Sequence, residues 1–97
     1  MTGFRLTPKA ARDLDGIAVW TARNWGADQM DAYLRRLNVR LHWLALNPLA
    51  GRDRSDVGPG YRSYPQGQHL IFYIIQPEHV AIIGVPHQAM DVDSYFS

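Results

Sequence analysis

The spacing of the apolar residues changes once along the chain, and this change restricts the fold more than any other feature. Across residues 8–46, apolar side chains recur every three or four positions, which is the spacing of amphipathic helices. Across residues 61–85 they form short runs rich in β-branched and aromatic residues, which is typical of strands. Asn47-Pro48, Gly51 and Gly58-Pro59-Gly60 lie between these regions and predict loops. The sequence therefore predicts helices followed by strands, an order typical of an α+β fold.

Two helices are predicted in the first region, with a single glycine between them. Thr7-Pro8 predicts the start of the first helix, because threonine accepts a hydrogen bond from a free backbone N–H and proline tolerates the first helical position. Gly26 fits the backbone conformation that closes a helix, and a second helix is expected over about residues 28–46. A link this short requires an antiparallel helical hairpin.

The strands are predicted to form a small sheet against that hairpin. They are expected at residues 3–7, 61–64, 69–75 and 80–85. Tight turns at residues 65–68 and 76–78 require the strands that they join to run antiparallel. A final helical turn is expected within residues 90–95. The predicted fold is α+β, with an N-terminal strand and an α-helical hairpin packed on a mainly antiparallel small sheet.

The composition excludes several classes of site and predicts one domain spanning residues 1–97. The chain has no cysteine, which excludes disulfides, thiolate metal ligands and a cysteine nucleophile. Its four histidines show no metal-ligand spacing, so neither a metal nor a cofactor is predicted. We find no signal-peptide pattern and no apolar run near the ~20 residues of a membrane span, which predicts a cytoplasmic protein. A net charge of +1 argues against general binding to nucleic acid.

Several short motifs follow one another from about Phe4 to Asp93. They are Leu6-Thr7-Pro8-Lys9-Ala10, Asp13-Leu14 with Ile17, Trp25-Gly26, Leu44-Ala45-Leu46-Asn47-Pro48-Leu49-Ala50-Gly51-Arg52, Pro59-Gly60-Tyr61-Arg62-Ser63, His69-Leu70-Ile71-Phe72-Tyr73, Val85, His87 and Met90-Asp91. This ordered set resembles the RelE/ParE toxin superfamily and, within it, the ParE-type toxins of type II toxin–antitoxin systems. The resemblance implies the RelE/ParE fold and a toxin that a co-expressed antitoxin blocks.

The resemblance leaves three hypotheses about function. The first is a non-enzymatic toxin that a ParD-like antitoxin neutralises and that poisons DNA gyrase. The second is a ribosome-dependent mRNA endoribonuclease of the RelE type, acting without a metal. The third is a non-toxic relative that persists as an antitoxin-binding co-repressor. In each case, direct contact with nucleic acid is expected only when the toxin–antitoxin complex binds operator DNA.

Arg62 and His87 are the candidate catalytic residues, and each also has a structural interpretation. A guanidinium fork suits an anionic group, and histidine transfers protons near neutral pH. Alternatively, Arg62 pairs with Asp53 or Asp56 on the surface, and His87 bonds to a backbone carbonyl. The resemblance implies that RNA-cleaving relatives carry several lysines, whereas this chain has only Lys9. The sequence therefore favours a binding toxin over an enzyme.

Two sets of surface residues are expected from the resemblance and the helical pattern. Toxicity and target binding are assigned to Arg52, Arg62, His87, Met90 and Asp91. Antitoxin binding is assigned to Trp20, Tyr33, Leu37, Arg40, Leu41 and Leu44. The second set lies on the helical hairpin, where an amphipathic antitoxin helix would dock its apolar residues in a groove.

Other residues carry expectations about packing. Trp20, Trp25 and Trp43 are expected mainly in the core or between the helices, with part of that surface open to an antitoxin helix. Gly84 and Pro86 stand where ParE-type toxins often carry arginine and leucine, beside the region linked to toxicity. Residues 90–96 mix apolar and acidic side chains, which indicates an interface or, alternatively, a cover for one sheet edge.

Overall fold

A helical hairpin lies against one face of a five-stranded sheet in the computed structural model, which describes residues 3–97. The strands are β1 (Phe4–Leu6), β2 (Arg52–Asp53), β3 (Arg62–Gln66), β4 (His69–Ile75) and β5 (Val80–Gly84). The helices are α1 (Pro8–Trp25), α2 (Ala27–Leu46) and α3 (Val92–Phe96), with a 3₁₀ turn at Pro48–Ala50. The predicted α+β class is confirmed. The single-domain prediction also covers residues 1 and 2, which lie outside the described residues.

The sheet has the order β1-β5-β4-β3-β2, and its only parallel pair among the described strands is β1 with β5. The mainly antiparallel sheet is thus confirmed. The predicted turn at residues 65–68 was too long, because β3 continues to Gln66 and the turn centres on Gly67. Since β2 pairs only with the first two residues of β3, Pro65 lies where β3 is an edge strand, a place that tolerates proline. The two-residue strand β2 was not predicted.

The predicted helix boundaries are confirmed by their caps. Thr7 Oγ1 accepts a hydrogen bond from the backbone N–H of Ala10 at 3.2 Å and donates one to the carbonyl of Ile82 at 3.1 Å. Gly26, at φ 91°, donates its N–H to Ala22 at 3.0 Å to end α1, and its carbonyl accepts the first bond of α2. One threonine therefore joins the start of α1 to β5, and one glycine reverses the chain between the helices.

The core lies between the hairpin and the sheet. Its buried residues are Ala10 and Ile17 from α1, Leu37, Leu41 and Leu44 from α2, Ile71 and Tyr73 from β4, Val80 and Ile82 from β5, and Val85. The prediction that the tryptophans pack in the core is wrong for Trp20 and Trp25, which are 53% and 65% exposed. Adjacent helical residues point about 100° apart, so Trp20, next to buried Thr21, projects beside the helix contact. Trp43 is half-buried against Tyr64, with ring centroids 5.3 Å apart.

The second face of the sheet is partly covered by α3. Phe96 packs against Phe72 and Tyr61, with ring centroids 5.0 and 5.2 Å away. A Cβ added at Gly84 would collide with the ring of Tyr95, so glycine at this position makes room for the tail. The tail thus covers part of a sheet face rather than an edge. Within residues 3–97, no helix combines the length and apolar character needed to cross a bilayer.

Candidate functional site

A groove of about 560 Å³ lies where the two long helices meet the sheet, and we call it the helix–sheet groove. It is bounded by α1, the first turns of α2, the start of β4 and the segment after β5. Its lining consists of Arg12, Asp13, Gly16, Ile17, Trp20, Thr21, Trp25, Gln29, Tyr33, Arg36, Gln68, His69, Val85, Pro86, His87, Met90 and Tyr95. The groove therefore brings together residues from both long helices and from the segment next to the tail.

One wall of the helix–sheet groove is apolar and exposed. Trp20 and Trp25 of α1 stand beside Met90, which is 50% exposed, while Ile17 and Val85 are buried beneath them. Tryptophan and methionine are enriched at protein interfaces, and exposed apolar patches of this kind mark interaction sites. This wall suits the apolar side of a partner helix.

A tyrosine and two histidines also line the groove. The Tyr33 hydroxyl lies 2.6 Å from Nδ1 of His69 and accepts the backbone N–H of Gln68 at 3.0 Å. The rings of His69 and His87 are 5.3 Å apart. Burial, together with the neighbouring His87, lowers the pKa of His69, and burial raises the pKa of Tyr33. Both side chains are therefore neutral at neutral pH.

The tautomer of the His87 ring follows from its contacts. Its Nδ1 accepts the backbone N–H of Ala89 at 3.0 Å, so the ring proton of the neutral form lies on Nε2, which is 3.4 Å from Oε1 of Gln68. An isolated bridge between His69 and His87 joins this segment to β4. The expected bond from His87 to a backbone carbonyl is not found among the described residues. Its contacts instead hold the turn that carries Met90.

The tail is attached to α1 beside the groove. Oδ2 of Asp13 accepts the backbone N–H of Val85 at 2.9 Å and also the hydroxyl of Tyr95. The ammonium of Lys9 lies 4.1 Å from the centroid of the Tyr95 ring. Burial, followed by the hydrogen bond to the Asp13 carboxylate, raises the pKa of Tyr95. The only lysine in the sequence therefore packs against the tail.

The structure does not bring the two candidate catalytic residues together. Arg62 pairs with Tyr73 at one end of β4, whereas His87 bridges to His69 at the other end. Tyr73 and His69 are four positions apart, or about 13 Å along a strand. An acid–base pair at one phosphate needs both groups within hydrogen-bond reach, so Arg62 and His87 do not form such a pair in this conformation.

Arg62 instead holds the corner between α2 and β2. Its guanidinium donates to the carbonyl of Gly51 from Nε at 3.1 Å and from a terminal nitrogen at 2.8 Å, and to the carbonyl of Leu49 at 3.2 Å. The expected pairing with Asp53 or Asp56 is not formed, because Asp56 pairs with Arg54. Arg62 therefore bonds to backbone carbonyls and not to the acidic side chains of its alternative interpretation.

The remaining residues assigned to toxicity are separated in the fold. Arg52 is exposed on the edge strand β2, far along the sheet from Met90 in the helix–sheet groove. Asp91 caps α3, since its two carboxylate oxygens accept the backbone N–H of Asp93 at 3.1 Å and the hydroxyl of Ser94 at 3.0 Å.

The residues assigned to antitoxin binding divide into two groups. Trp20 and Tyr33 line the helix–sheet groove, and Arg40 lies on the outer side of α2. Leu37, Leu41 and Leu44 are only 1%, 3% and 0% exposed. This corrects the expected contact surface, because a partner would reach these three leucines only if the core opened. These leucines lie in the core, beneath the exposed residues of α2.

Several groove residues were missed by the sequence reasoning. Trp25 was assigned to packing, and Arg36 and His69 were given no role, although all three line the groove. For His69 a signal was present: alternation along β4 places it on the same face as Ile71 and Tyr73, towards the helices. For Trp25 there was none, since the exposure of a tryptophan at a helix end depends on the tertiary structure.

The known proteins that this chain resembles are toxins. Residues 4–92 match the family described as ParE toxin of type II toxin-antitoxin system, parDE. Toxin ParE1 of Mycobacterium tuberculosis is 38% identical over 91 residues, covering 93% of each chain. Toxin ParE1 of Caulobacter vibrioides is 33% identical over 95 residues, covering 98% of each. Toxin ParE of Escherichia coli is 31% identical over 93 residues, covering 95% of this chain and 90% of the relative.

A solved structure shares the fold. A chain of the chromosomal ParDE TA system from P. aeruginosa superposes with a TM-score of 0.76 at 19% identity. The match covers 90% of this chain and 96% of the other.

Proposed function

Since this chain belongs to the ParE toxin family of type II toxin–antitoxin systems, we propose that it inhibits DNA gyrase and is neutralised by a ParD-like antitoxin. It acts in the cytoplasm and by binding rather than by catalysis. The neutralising antitoxin docks an amphipathic helix in the helix–sheet groove.

The exposed wall of the groove supports antitoxin binding. Trp20 and Met90 each expose about half of their surface in a groove whose lining also includes the buried residues Ile17 and Val85. A partner helix that covers them removes large apolar side chains from water, which is the main favourable contribution to association. Central tryptophans commonly contribute 2 kcal/mol or more to such interfaces.

The separation of Arg62 from His87 is the observation that carries the choice of a binding toxin. Metal-independent cleavage of RNA needs a base, an acid and cations around one phosphate. Here the guanidinium of Arg62 already donates to the carbonyls of Gly51 and Leu49. Lys9, the only lysine of the sequence, packs on the ring of Tyr95.

Expression of the toxin alone tests the proposed target. Induction should stop growth and raise the DNA-damage response while bulk translation continues at first, and purified protein should inhibit supercoiling by gyrase. Co-expression of the antitoxin encoded beside it should restore growth. If induction arrests translation without DNA damage, gyrase is the wrong target.

The antitoxin site is tested by two variants on α1. Trp20→Ala should weaken antitoxin binding by about 30-fold, the equivalent of ~2 kcal/mol. Val19→Ala is the matched control, because Val19 is 50% exposed but does not line the groove. Equal affinities for the two variants would place the antitoxin elsewhere.

A ribonuclease remains the second candidate because of one cluster. Tyr33, Arg36, His69 and His87 line the same end of the groove and offer phenol, guanidinium and imidazole groups close together. Primer extension on translated messages decides between the candidates. Codon-phased cuts that disappear in His87→Ala would favour the ribonuclease. In the growth and binding assays, a toxin that binds the antitoxin but does not inhibit growth would instead favour a co-repressor.

A further inference from the structure

A second concavity lies on the outer side of α2, and we call it the arginine face. It is a shallow groove of about 460 Å³ whose lining includes Arg35, Arg36, Val39, Arg40 and Trp43. The core-facing side of the same helix carries the buried leucines, and the arginine face lies beside that side, with Gln66 of β3 at its border. The toxin's proposed contacts with antitoxin in the helix–sheet groove leave most of the arginine face unused.

The arginines of this face form no ion pair. Arg35, Arg36 and Arg40 follow Asp31, and the next acidic residue in the sequence is Asp53. Within residues 3–97, an ion pair is found only between Arg54 and Asp56. A protein with a net charge of only +1 therefore concentrates positive charge on one helix face, which complements an acidic partner.

Arg40 is held in place before any partner arrives. Its Nε donates to Oε1 of Gln66 at 2.9 Å. Its guanidinium carbon lies 4.8 Å from the centroid of the Trp43 ring and 5.0 Å from that of Tyr64. The bond to Gln66 uses Nε, so the two terminal nitrogens stay available to a carboxylate. A fixed guanidinium loses less side-chain entropy on binding than a mobile one.

Exposed apolar residues distinguish this face from a phosphate-binding surface. Val39 is 65% exposed within the groove, and Leu46, seven positions further along α2, is 77% exposed on the same side. Arginine and aromatic residues around an apolar centre are typical of protein interfaces, whereas nucleic-acid contacts are mostly polar. The composition therefore favours a peptide that carries both acidic and apolar side chains.

The arginine face adjoins the helix–sheet groove. Arg36 lines both concavities, and its guanidinium lies 5.9 Å from the ring of Tyr33 at the end of the first groove. A chain that leaves the helix–sheet groove past Tyr33 therefore reaches Arg36 and then, one helical turn further along α2, Arg40.

We propose that the arginine face binds an acidic, partly apolar segment of the antitoxin that directly adjoins the helix held in the helix–sheet groove. The proposal rests on the proposed function, because it assigns a second site to the same partner. Carboxylates of the segment meet Arg35, Arg36 and Arg40, and an apolar side chain covers Val39. Positive charge on this face also speeds the encounter with an acidic partner, an effect that salt suppresses.

Affinity as a function of salt tests this site. Arg35→Gln is the main variant, because Arg35 is exposed and its loss leaves the Arg40 stack intact. Arg23→Gln is the control, since it removes the same charge from an exposed position of α1 outside both grooves. The probe is the purified product of the antitoxin gene adjacent to the toxin gene. Thermal melts of each variant confirm that it is folded.

The expected result is a difference that depends on salt. At 50 mM NaCl, Arg35→Gln should weaken antitoxin binding about fivefold and Arg23→Gln less than twofold. At 500 mM NaCl the two should agree, because exposed charges are screened over a few ångströms. Arg36→Gln should show a larger loss than Arg35→Gln, since Arg36 borders both grooves.

The outcomes separate the two proposals. If the wild-type toxin does not bind the antitoxin, or Trp20→Ala binds as well as Val19→Ala, the proposed function or its groove fails. If Trp20→Ala weakens binding but Arg35→Gln matches Arg23→Gln at low salt, only the arginine face is refuted. If Arg35→Gln weakens binding of the toxin–antitoxin complex to operator DNA and leaves the protein affinity unchanged, the face contacts nucleic acid and the proposal is overturned.

Discussion

The hydroxyl of Tyr73 offers a sharp test of how the corner beneath β2 is held. Tyr73 is fully buried on β4, and its hydroxyl donates to the carbonyl of Pro48 at 2.7 Å and accepts the N–H of Gly51 at 2.8 Å. Tyr73→Phe removes one oxygen and leaves both backbone groups without that partner. Burial raises the pKa of Tyr73, so the wild-type hydroxyl stays protonated through the physiological range.

The size of the effect follows from these two bonds. An unsatisfied buried N–H costs about 1–3 kcal/mol, and the Pro48 carbonyl, which is only partly buried, costs less. We expect Tyr73→Phe to lower the free energy of unfolding by about 2 kcal/mol. For a domain of this length that corresponds to a fall in Tm of roughly 8–16 °C.

Urea and thermal denaturation of the isolated toxin measure this loss. Tyr61→Phe is the control, because the contacts of Tyr61 with Phe72 and Phe96 are made by its ring, and it should change stability by less than about 0.5 kcal/mol. The guanidinium of Arg62 donates to the carbonyl of the same Gly51. The stability losses of Tyr73→Phe and Arg62→Ala should therefore be non-additive in a double-mutant cycle. A loss below about 0.5 kcal/mol for Tyr73→Phe would refute this account of the corner.

Three further predictions concern the ends of the fold and the groove. Gly84→Ala should cost about 1–3 kcal/mol by displacing Tyr95, and the cost should shrink in a Tyr95→Ala background; equal losses in both backgrounds would contradict the packing. Because burial lowers the pKa of His69 below the unfolded value of 6.5, the unfolded chain binds the extra proton, so the urea midpoint should fall as pH drops below about 6.5. His69→Gln should make the urea midpoint less dependent on pH. A urea midpoint that rises on acidification would contradict a lowered pKa for His69. Thr7→Ala should cost about 1 kcal/mol or more in thermal melts, since a cap bond and a bond to Ile82 are lost together; an unchanged Tm would mean that neither matters.

The helical part of the fold was predictable because its signals are local. Thr7, Gly26 and Asn47 mark the helix ends within one or two positions, since capping depends on the residues adjacent to each end. The apolar spacing likewise placed Leu37, Leu41 and Leu44 on one face of α2. The same spacing could not show that Leu37 is buried rather than available to a partner, because apolar spacing is the same for a helix that packs on its own sheet and for one that receives another chain.

The sheet and the site were harder to predict because they depend on distant contacts. Nothing near Phe4 in the sequence indicates that β1 lies parallel to β5, and the two residues of β2 are too few to show a period. Arg62 was assigned a ligand because a strand arginine suits an anion. Its actual partners are carbonyls exposed by the corner after α2, which the sequence does not reveal.

The pairing of β1 with β5 makes completion of the fold depend on the last strand of the sheet. The hydroxyl of Thr7 at the start of α1 reaches a carbonyl 75 positions later, and β5 separates β1 from the rest of the sheet. While a nascent chain still lacks β5, its helical hairpin can form from local contacts, but the N-terminal strand has no neighbour and the groove has no floor. The helix–sheet groove and the parallel strand pair therefore form only after β5 is present, whereas the helical hairpin can form earlier from local contacts.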